Sequence, residues 1–196
     1  MTMAKSRANG PGVRAVIWVQ GCTIGCPGCY NAFTHPHVKN QLRNPAILAT
    51  WVNSIDGIEG VTFSGGEPFE QAEAIVATIE AINLSREIPI SVFIFSGFKY
   101  SYLQSSGSPK VKRLLGLVDM LSTGPFLMEH CDTNLLWRGS SNQQLVYLSE
   151  RYSQSEEEKW RQESPVEELV INDDVIQRTG FEGPRGKLVK AVEAIE

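Results

Sequence analysis

Three of the chain's four cysteines lie within eight residues of one another. They are Cys22, Cys26 and Cys29 in the stretch GCTIGCPGCYN, and their spacing is C-x3-C-x2-C. Cubane iron–sulfur clusters are held by cysteine thiolates, usually four of them. Three thiolates from one short loop can hold three irons and leave the fourth iron open to another ligand. The glycines of this stretch allow the loop to wrap tightly around such a cluster.

The same cysteines permit two other interpretations. A structural zinc site could use them with His35 or His37 as the fourth ligand, although zinc sites usually combine C-x2-C with a second, distant pair that this sequence lacks. Buried, inert thiols are the remaining interpretation. The spacing favours the cluster without excluding zinc, because three ligands leave either metal incomplete.

Apolar runs predict the elements that must position the cysteine loop. The predicted strands are 14–19, 61–64, 90–95, 118–122 and 144–148, and the predicted helices are 45–55, 69–84 and two short ones within 100–115. Strands and helices alternate, which indicates a parallel sheet with crossover helices. The glycine-rich motifs follow the strands, so we expect them at the carboxyl edge, where such sheets bind ligands.

The length of 196 residues limits the fold further. A complete eight-stranded barrel takes about 250 residues, so we predict an α/β fold that is an incomplete TIM-type barrel or an open curved, mostly parallel sheet. Residues 1–150 are expected to form the core domain and residues 151–165 a charged linker or exposed helix. Residues 166–196 are expected to form a small C-terminal appendage, with a hairpin turned at 172–174 and a terminal helix. The apolar face of that helix carries Leu188, Val189, Val192 and Ile195.

Composition excludes several classes of protein. The net charge of −4 gives no general attraction to nucleic acid or to an anionic membrane, so neither is an expected partner. No apolar run has the length of a membrane span, and the first residues lack the pattern of a secretory signal. The expected location is the cytoplasm, where disulfides are uncommon and clustered cysteines are better explained as metal ligands.

Five sequence pieces together resemble one family. They are GCPGCYN (25–31), FSGGEP (63–68), SGFK (96–99), GPF (124–126) and WRGSSNQ (137–143). In this order, up to about residue 150, they resemble the radical S-adenosylmethionine superfamily, and within it the anaerobic ribonucleotide reductase activating enzymes. The tail shows no such resemblance.

The resemblance implies a 4Fe-4S cluster and S-adenosylmethionine as cofactors. A flavodoxin or ferredoxin would reduce the cluster, and cleavage of S-adenosylmethionine would give a 5′-deoxyadenosyl radical. In activases that radical removes a hydrogen atom from a glycine Cα of a large partner, here the anaerobic ribonucleotide reductase large subunit. The cofactors carry the difficult chemistry, and the protein positions them.

The resemblance also implies roles for the motif that follows the second predicted strand. Glu67 would accept hydrogen bonds from the ammonium group of S-adenosylmethionine. Gly65 and Gly66 would leave room for its methionine moiety beside Pro68, and Ser96 on the next strand would reach the ribose. The alternative is a plain strand-to-helix turn, with Pro68 in the first helical turn and Glu67 favouring the helix dipole.

The resemblance implies further roles for residues in two polar segments. Tyr30 and Asn31 would line the adenine or support the cysteine loop. Arg138 would bind a carboxylate of the cofactor or of the partner, since arginine suits bidentate recognition. The same polar loop also carries Ser140, Ser141 and Asn142.

Some features depart from the family pattern. Thr123 stands where an acidic residue is common, and Cys131 is interpreted as a bystander thiol, with a redox or hydrogen-donor role as the alternative. The three histidines, including His130, are interpreted as solvated or core residues. A radical S-adenosylmethionine enzyme with another peptide or small-molecule substrate therefore remains an alternative. So does a non-catalytic electron-transfer module or a zinc-stabilised interaction module.

Overall fold

Strands and helices alternate along most of the chain. The structure, a computed structural model, describes residues 1–172 and 175–181. The strands are β1 Thr2–Ser6, β2 Arg14–Val19, β3 Gly60–Gly65, β4 Ser91–Ser96, β5 Met120–Thr123, β6 Gln144–Tyr147, β7 Glu167–Asn172 and β8 Val175–Gly180. The helices are α1 Pro45–Asn53, α2 Ala72–Asn83, α3 Tyr100–Ser105, α4 Pro109–Leu115 and α5 Glu157–Glu163.

A six-stranded sheet in the order β1-β2-β3-β4-β5-β6 forms the body of the protein. Neighbours from β2 to β5 are parallel, whereas β1 and β6 lie antiparallel at the two edges. The predicted α/β class and the mostly parallel sheet are therefore confirmed. The described strands form an open sheet, because β1 and β6 lie at opposite ends of it.

Two features of the sheet were not predicted. Strand β1 was not expected, and β6 runs against the parallel series that the alternation of elements indicated. Parallel neighbours need a crossover, usually a helix. Between β5 and β6 the chain instead forms a loop with only a short 3₁₀ helix, Met128–His130, and then turns back along β5.

Helices α1, α2 and α4 cover one face of the sheet. Helix α1 begins after its N-cap residue Asn44, whose side chain accepts a hydrogen bond from Ala46 N at 2.8 Å. Helix α2 buries one face through Ile75, Ile79 and Ile82. Alternate residues of the strands face these helices and complete the larger core.

Aromatic residues from the later part of the chain cover the second face. Phe93 and Met120 of the sheet pack against Trp137, Tyr152 and Trp160. The Trp137 and Trp160 ring centroids are 5.4 Å apart, and those of Tyr152 and Trp160 are 5.7 Å apart. The segment expected to be a linker or exposed helix thus contains α5, which buries Trp160 against the sheet.

A fully buried arginine lies under this second face. Arg14, at the start of β2, donates six hydrogen bonds, including one to Thr62 Oγ1 at 2.8 Å and one to the Tyr152 hydroxyl at 3.3 Å. The Tyr152 hydroxyl in turn donates to Glu59 Oε1 at 2.6 Å. A buried charge is stable only when its polar atoms are hydrogen-bonded in this way. Through these bonds Arg14 links the first strands of the sheet to Tyr152, which lies in the segment after β6.

Strands β7 and β8 form an antiparallel hairpin that binds to the connection between β1 and β2. Glu168 Oε2 accepts three hydrogen bonds from residues 6–8, at 2.5 to 3.1 Å. Thr179 Oγ1 accepts a fourth hydrogen bond from Asn9 Nδ2 at 2.7 Å. The expected terminal helix, and residues 173 and 174 of the expected turn, lie outside the described residues.

None of the helices in the described part of the chain combines the length and the hydrophobicity that crossing a bilayer requires.

Candidate functional site

A cavity of about 250 Å³ lies at the carboxyl end of the parallel strands. The ends of β2 to β5 form its floor, and the cysteine loop forms one wall. The loop after β5 and the end of β8 form other walls. This is the edge of the sheet at which the sequence predicted a ligand site.

The cysteine loop is held at its two ends by backbone hydrogen bonds. Gly21 N donates to Thr34 O at 2.8 Å, and Cys22 N donates to His35 O at 3.0 Å. Between these ends the chain turns through Gly28, whose φ of 73° is unfavourable for other residues. A side chain there would also overlap Met128. The loop is therefore closed tightly against the segment that follows β5.

Cys22, Cys26 and Cys29 are all half-buried and line the same cavity. Burial raises the pKa of Cys26 and of Cys29, and the neighbouring thiols raise them further. In residues 1–172 and 175–181, no three Cys, His, Asp or Glu side chains converge closely enough to hold a metal ion as they stand. Binding of a cluster would therefore require these thiols to turn toward one centre.

The two histidines considered as zinc ligands have different surroundings. His35 lines the cavity, whereas His37 Nε2 lies 3.7 Å from Glu70 Oε2. The wall that carries the cysteines thus presents three soft sulfur ligands from one loop, a donor set that suits an iron–sulfur cluster.

Glu67 is buried beside the cavity, with an exposed fraction of 1%. Its Oε1 accepts hydrogen bonds from Phe69 N at 2.9 Å and Ser96 Oγ at 3.0 Å, and its Oε2 accepts one from Gly97 N at 2.9 Å. Burial raises the pKa of Glu67 to about 7. The carboxyl group caps the 3₁₀ helix Pro68–Gln71, as the turn interpretation expected, and it also faces the cavity.

Gly65 and Gly66 bring two motifs together through their backbones. Gly66 N donates to Val19 O at 2.9 Å, and Glu67 N donates to Gly21 O at 2.8 Å. A Cβ on Gly65 would lie 2.5 Å from Val19 O, and one on Gly66 would overlap Gly21 O. The end of β2 occupies the space beside Gly65, and the start of the cysteine loop occupies the space beside Gly66. Pro68 is buried at the beginning of the 3₁₀ helix.

The remaining residues predicted for the site divide into two groups. Tyr30, Asn31 and Ser96 line the cavity. Arg138, Ser140 and Asn142 are not among its lining residues in the described part of the chain, and each hydrogen-bonds within its own region. Arg138 Nε donates to Leu136 O at 3.3 Å, Ser140 Oγ accepts from Leu127 N at 3.3 Å, and Asn142 Nδ2 donates to Pro125 O at 2.8 Å.

The polar loop reaches the cavity through two other residues, Gly139 and Gln143. Gln143 Oε1 accepts from Gly139 N at 2.8 Å, and Gln143 Nε2 donates to Gly124 O at 2.8 Å. The side chain of Gln143 therefore joins this loop to the end of β5. Thr123, which precedes Gly124, is buried.

Comparison with known proteins gives a consistent result. The family described as "4Fe-4S single cluster domain" matches residues 8–146. The anaerobic ribonucleoside-triphosphate reductase-activating protein of Escherichia coli K12 is 30% identical over 147 residues, which is 71% of this chain and 92% of that protein. The proteins of the same name from Haemophilus influenzae and from bacteriophage T4 are also 30% identical. They match 69% and 70% of this chain and 88% and 85% of their own lengths.

The chain belongs to the family of the anaerobic ribonucleoside-triphosphate reductase-activating proteins. The resemblance found in the sequence is thus confirmed. The description of the matching domain as a single 4Fe-4S cluster domain favours an iron–sulfur cluster over zinc.

Several other residues that line the cavity of this activating-protein relative were not predicted from its sequence. They are, among others, Asn9, Trp18, Phe95, Arg178 and Phe181. Trp18 had a signal, because it follows Val16 at the alternate spacing of strand residues that share a face. The hairpin residues Arg178 and Phe181 had no such signal in the sequence. They lie beyond residues 8–146, the region that the family matches, and the hairpin contacts residues that are far away in the sequence.

Phe181 joins the hairpin to the cysteine loop. Its ring centroid lies 5.1 Å from that of Tyr30 and 6.3 Å from that of Phe95. The Tyr30 hydroxyl lies 3.6 Å from the Sγ of Cys131, which is exposed. The fourth cysteine therefore lies near the residue that follows the cysteine motif.

Proposed function

We propose that the protein is a radical S-adenosylmethionine enzyme that generates a glycyl radical on an anaerobic ribonucleotide reductase. One observation carries this proposal: the three cysteines of the loop and the carboxyl group of Glu67 line a single cavity at the carboxyl end of the sheet. The relatives are named as reductase-activating proteins, which supports the choice of partner. In this proposal the open sheet is an incomplete TIM-type barrel.

Cys22, Cys26 and Cys29 would hold the 4Fe-4S cluster. When bound and reduced by a flavodoxin or ferredoxin, that cluster supplies the electron that cleaves S-adenosylmethionine to methionine and a 5′-deoxyadenosyl radical. The reducing conditions of the cytoplasm suit both the thiols and such a cluster.

Glu67 would bind the ammonium group of S-adenosylmethionine. A carboxylate has about four acceptor positions, and three are used by Phe69 N, Ser96 Oγ and Gly97 N. The remaining position is on Oε2, the oxygen with a single donor. Because a nearby positive charge favours the ionised form, an ammonium group would keep Glu67 charged despite its burial. The Ser96 hydroxyl, which also accepts from Phe98 N at 3.1 Å, would fix the carboxylate in place.

The walls of the cavity would keep water from the reacting atoms. Trp18, Tyr30, Phe95 and Phe126 present aromatic surface to it. The rings of Tyr30 and Phe126 pack edge to face at 5.4 Å. Apolar walls of this kind protect a reactive radical from side reactions.

One observation favours a second candidate function, a radical S-adenosylmethionine enzyme with a different peptide or small-molecule substrate. The end of β8 lines the cavity although it lies beyond residues 8–146, the region that the family matches. A wall added to the family's shared core can change which substrate fits.

Anaerobic reconstitution tests the proposed function. The purified protein is loaded with iron and sulfide, reduced with dithionite, and assayed for 5′-deoxyadenosine after addition of S-adenosylmethionine. We expect Cys26→Ala to abolish the product and Cys131→Ala to leave it unchanged, because Cys131 lies outside the cysteine motif. Equal product from Cys26→Ala and wild type would refute the cluster assignment, and a colourless protein containing zinc would support the interaction module instead.

A further inference from the structure

The 3₁₀ helix Pro68–Gln71 is fastened to the start of the cysteine loop by two of its side chains. Gln71 Nε2 donates to Gln20 O at 2.6 Å. Glu70 Oε1 accepts from Thr23 twice, from its backbone N at 3.0 Å and from its hydroxyl. These side-chain contacts add to the backbone hydrogen bonds that already join the two motifs. The helix and the first part of the loop are therefore held together along their length.

The contact with Thr23 fixes the backbone beside the first cysteine. Cys22 N donates to His35 O at 3.0 Å, and the next amide, that of Thr23, donates to Glu70. Hydrogen bonds to an ionised acceptor are stronger than those between neutral groups. Binding of a cluster requires the thiols to turn toward one centre. Because its backbone is held on both sides, Cys22 makes this turn with its side chain alone.

Glu70 also contacts the segment that follows the loop. Its Oε2 lies 3.7 Å from His37 Nε2, and the His37 ring lies against Gly21, where an added Cβ would be 2.8 Å from Nδ1. One carboxylate thus joins a residue after the first cysteine to a residue after the third. The Glu70 side chain is 19% exposed. Among the residues that the structure describes, the cavity lining includes neither Glu70 nor Thr23, so Glu70 acts on the site through the residues that it holds.

We propose that Glu70 is a positioning residue that sets the place of Cys22, and with it the cluster, relative to Glu67. The inference rests on the proposed function, in which the cluster and Glu67 bind the same molecule of S-adenosylmethionine. Glu67 is the N-cap of the 3₁₀ helix that carries Glu70. A shift of the loop relative to this helix would therefore change the spacing of the two groups that bind the cofactor, and a misplacement of about 1 Å is costly in such a site.

The test compares Glu70→Ala with Glu70→Gln and Glu73→Ala. Glu70→Gln keeps a carbonyl oxygen that can accept from Thr23. Glu73→Ala removes the same type of side chain from an exposed position on α2, where it pairs with Lys110. Hydrogen exchange of the metal-free proteins measures the protection of the Thr23 amide. Equilibrium dialysis of the reconstituted proteins measures S-adenosylmethionine binding per bound cluster, and electron paramagnetic resonance records how the cofactor changes the spectrum of the reduced cluster.

We expect Glu70→Ala to weaken S-adenosylmethionine binding per cluster by about tenfold and to speed exchange of the Thr23 amide by about tenfold, as loss of a charge-assisted contact does. The spectral change caused by the cofactor should differ from that of the wild type. Glu70→Gln should restore binding to within about threefold, because a neutral acceptor keeps part of the hydrogen-bond energy. Glu73→Ala should match the wild type in all three measurements.

An active wild type together with wild-type binding per cluster in Glu70→Ala would overturn the inference alone, even if that variant held less iron, since lower iron content is what a merely structural role predicts. If Glu70→Ala does not fold, Thr23→Val decides, because it removes the hydroxyl donor and keeps the amide. We then expect binding about threefold weaker, and unchanged binding would overturn the inference. A wild type that holds the cluster but forms no 5′-deoxyadenosine would overturn the proposed function.

Discussion

Glu67 combines two roles in one side chain. Its carboxyl group caps the 3₁₀ helix after β3 and also faces the cavity. The sequence motif predicted both roles as alternatives, and the structure shows the capping role together with a position at the cavity wall. A short local motif made this possible, because Gly65, Gly66 and Glu67 make their main contacts with the ends of the neighbouring strands β2 and β4. Arg178 could not be found in this way, since its position depends on a hairpin binding to residues 6–9.

The raised pKa of Glu67 predicts a pH dependence of stability. The pKa is about 7 in the folded protein against an ordinary value of 4.5, so the native state holds this proton more tightly. Glu67 therefore favours folding fully below pH 4.5, and this contribution is lost as the pH rises to about 7. The loss is on the order of 3 kcal/mol in the free energy of unfolding. Urea unfolding of the metal-free, reduced protein measures it.

The control for this prediction is Glu67→Gln, which cannot ionise. The variant should lack this part of the fall in stability between pH 4.5 and about 7, where the native and unfolded states differ most in the protonation of Glu67. A variant whose free energy of unfolding falls as steeply as that of the wild type would show that Glu67 is not the group responsible.

At the scale of elements, apolar runs located most of the sheet and its helices. The predicted strand 14–19 coincides with β2, and two short helices do occur within 100–115. The misses have physical causes. The sequence of β1, TMAKS, carries one large apolar residue, Met3, and is a strand because it pairs with β2. The direction of β6 follows from the connection between β5 and β6, which contains only a short 3₁₀ helix, and periodicity within β6 cannot reveal this.

The contact between the end of β3 and the cysteine loop predicts the effect of a single methyl group. In Gly66→Ala, the added Cβ overlaps the carbonyl oxygen of Gly21, and a backbone atom cannot move aside cheaply. We expect a loss of about 2 kcal/mol in the free energy of unfolding, as for other overpacked sites, and reduced iron uptake because the cysteine loop is displaced. Chemical denaturation and iron analysis after reconstitution measure these effects.

Gly107→Ala is the matched control, because a Cβ there meets no atom within 4 Å and φ is not in the left-handed region. Its stability should stay within about 0.5 kcal/mol of the wild type. If Gly66→Ala behaved like this control in both measurements, neither stability nor iron uptake would depend on the close approach of the two backbones.

For the molecule as a whole, the later part of the chain is tied to the sheet at several points. Trp160 packs on the second face, Tyr152 reaches Arg14, and Glu168 binds residues 6–8. The polar composition of residues 151–165 predicted a linker or exposed helix. A single buried tryptophan within such a segment is a weak signal, since the pattern alone does not show which surface it meets.

Removal of the Trp160 side chain tests this attachment. Trp160 is 5% exposed, and we expect Trp160→Ala to cost about 3 to 5 kcal/mol in the free energy of unfolding, as for other large core residues. Lys159→Ala, an exposed position on the same helix, is the control and should change stability by less than about 0.5 kcal/mol. Circular dichroism during guanidinium unfolding measures both, and an unfolding curve for Trp160→Ala that overlays the wild type would contradict the prediction.

The hydrogen bonds of Glu168 and Thr179 span 160 to 170 positions along the chain. Protein synthesis proceeds from the first strand onward, so residues 6–9 emerge from the ribosome long before the partners that satisfy them. Contacts of such long sequence separation form late and slow the folding of a domain. The cavity therefore gains its last wall only after residue 181 has been made, and iron delivered to the nascent chain would meet an open pocket that later closes around it.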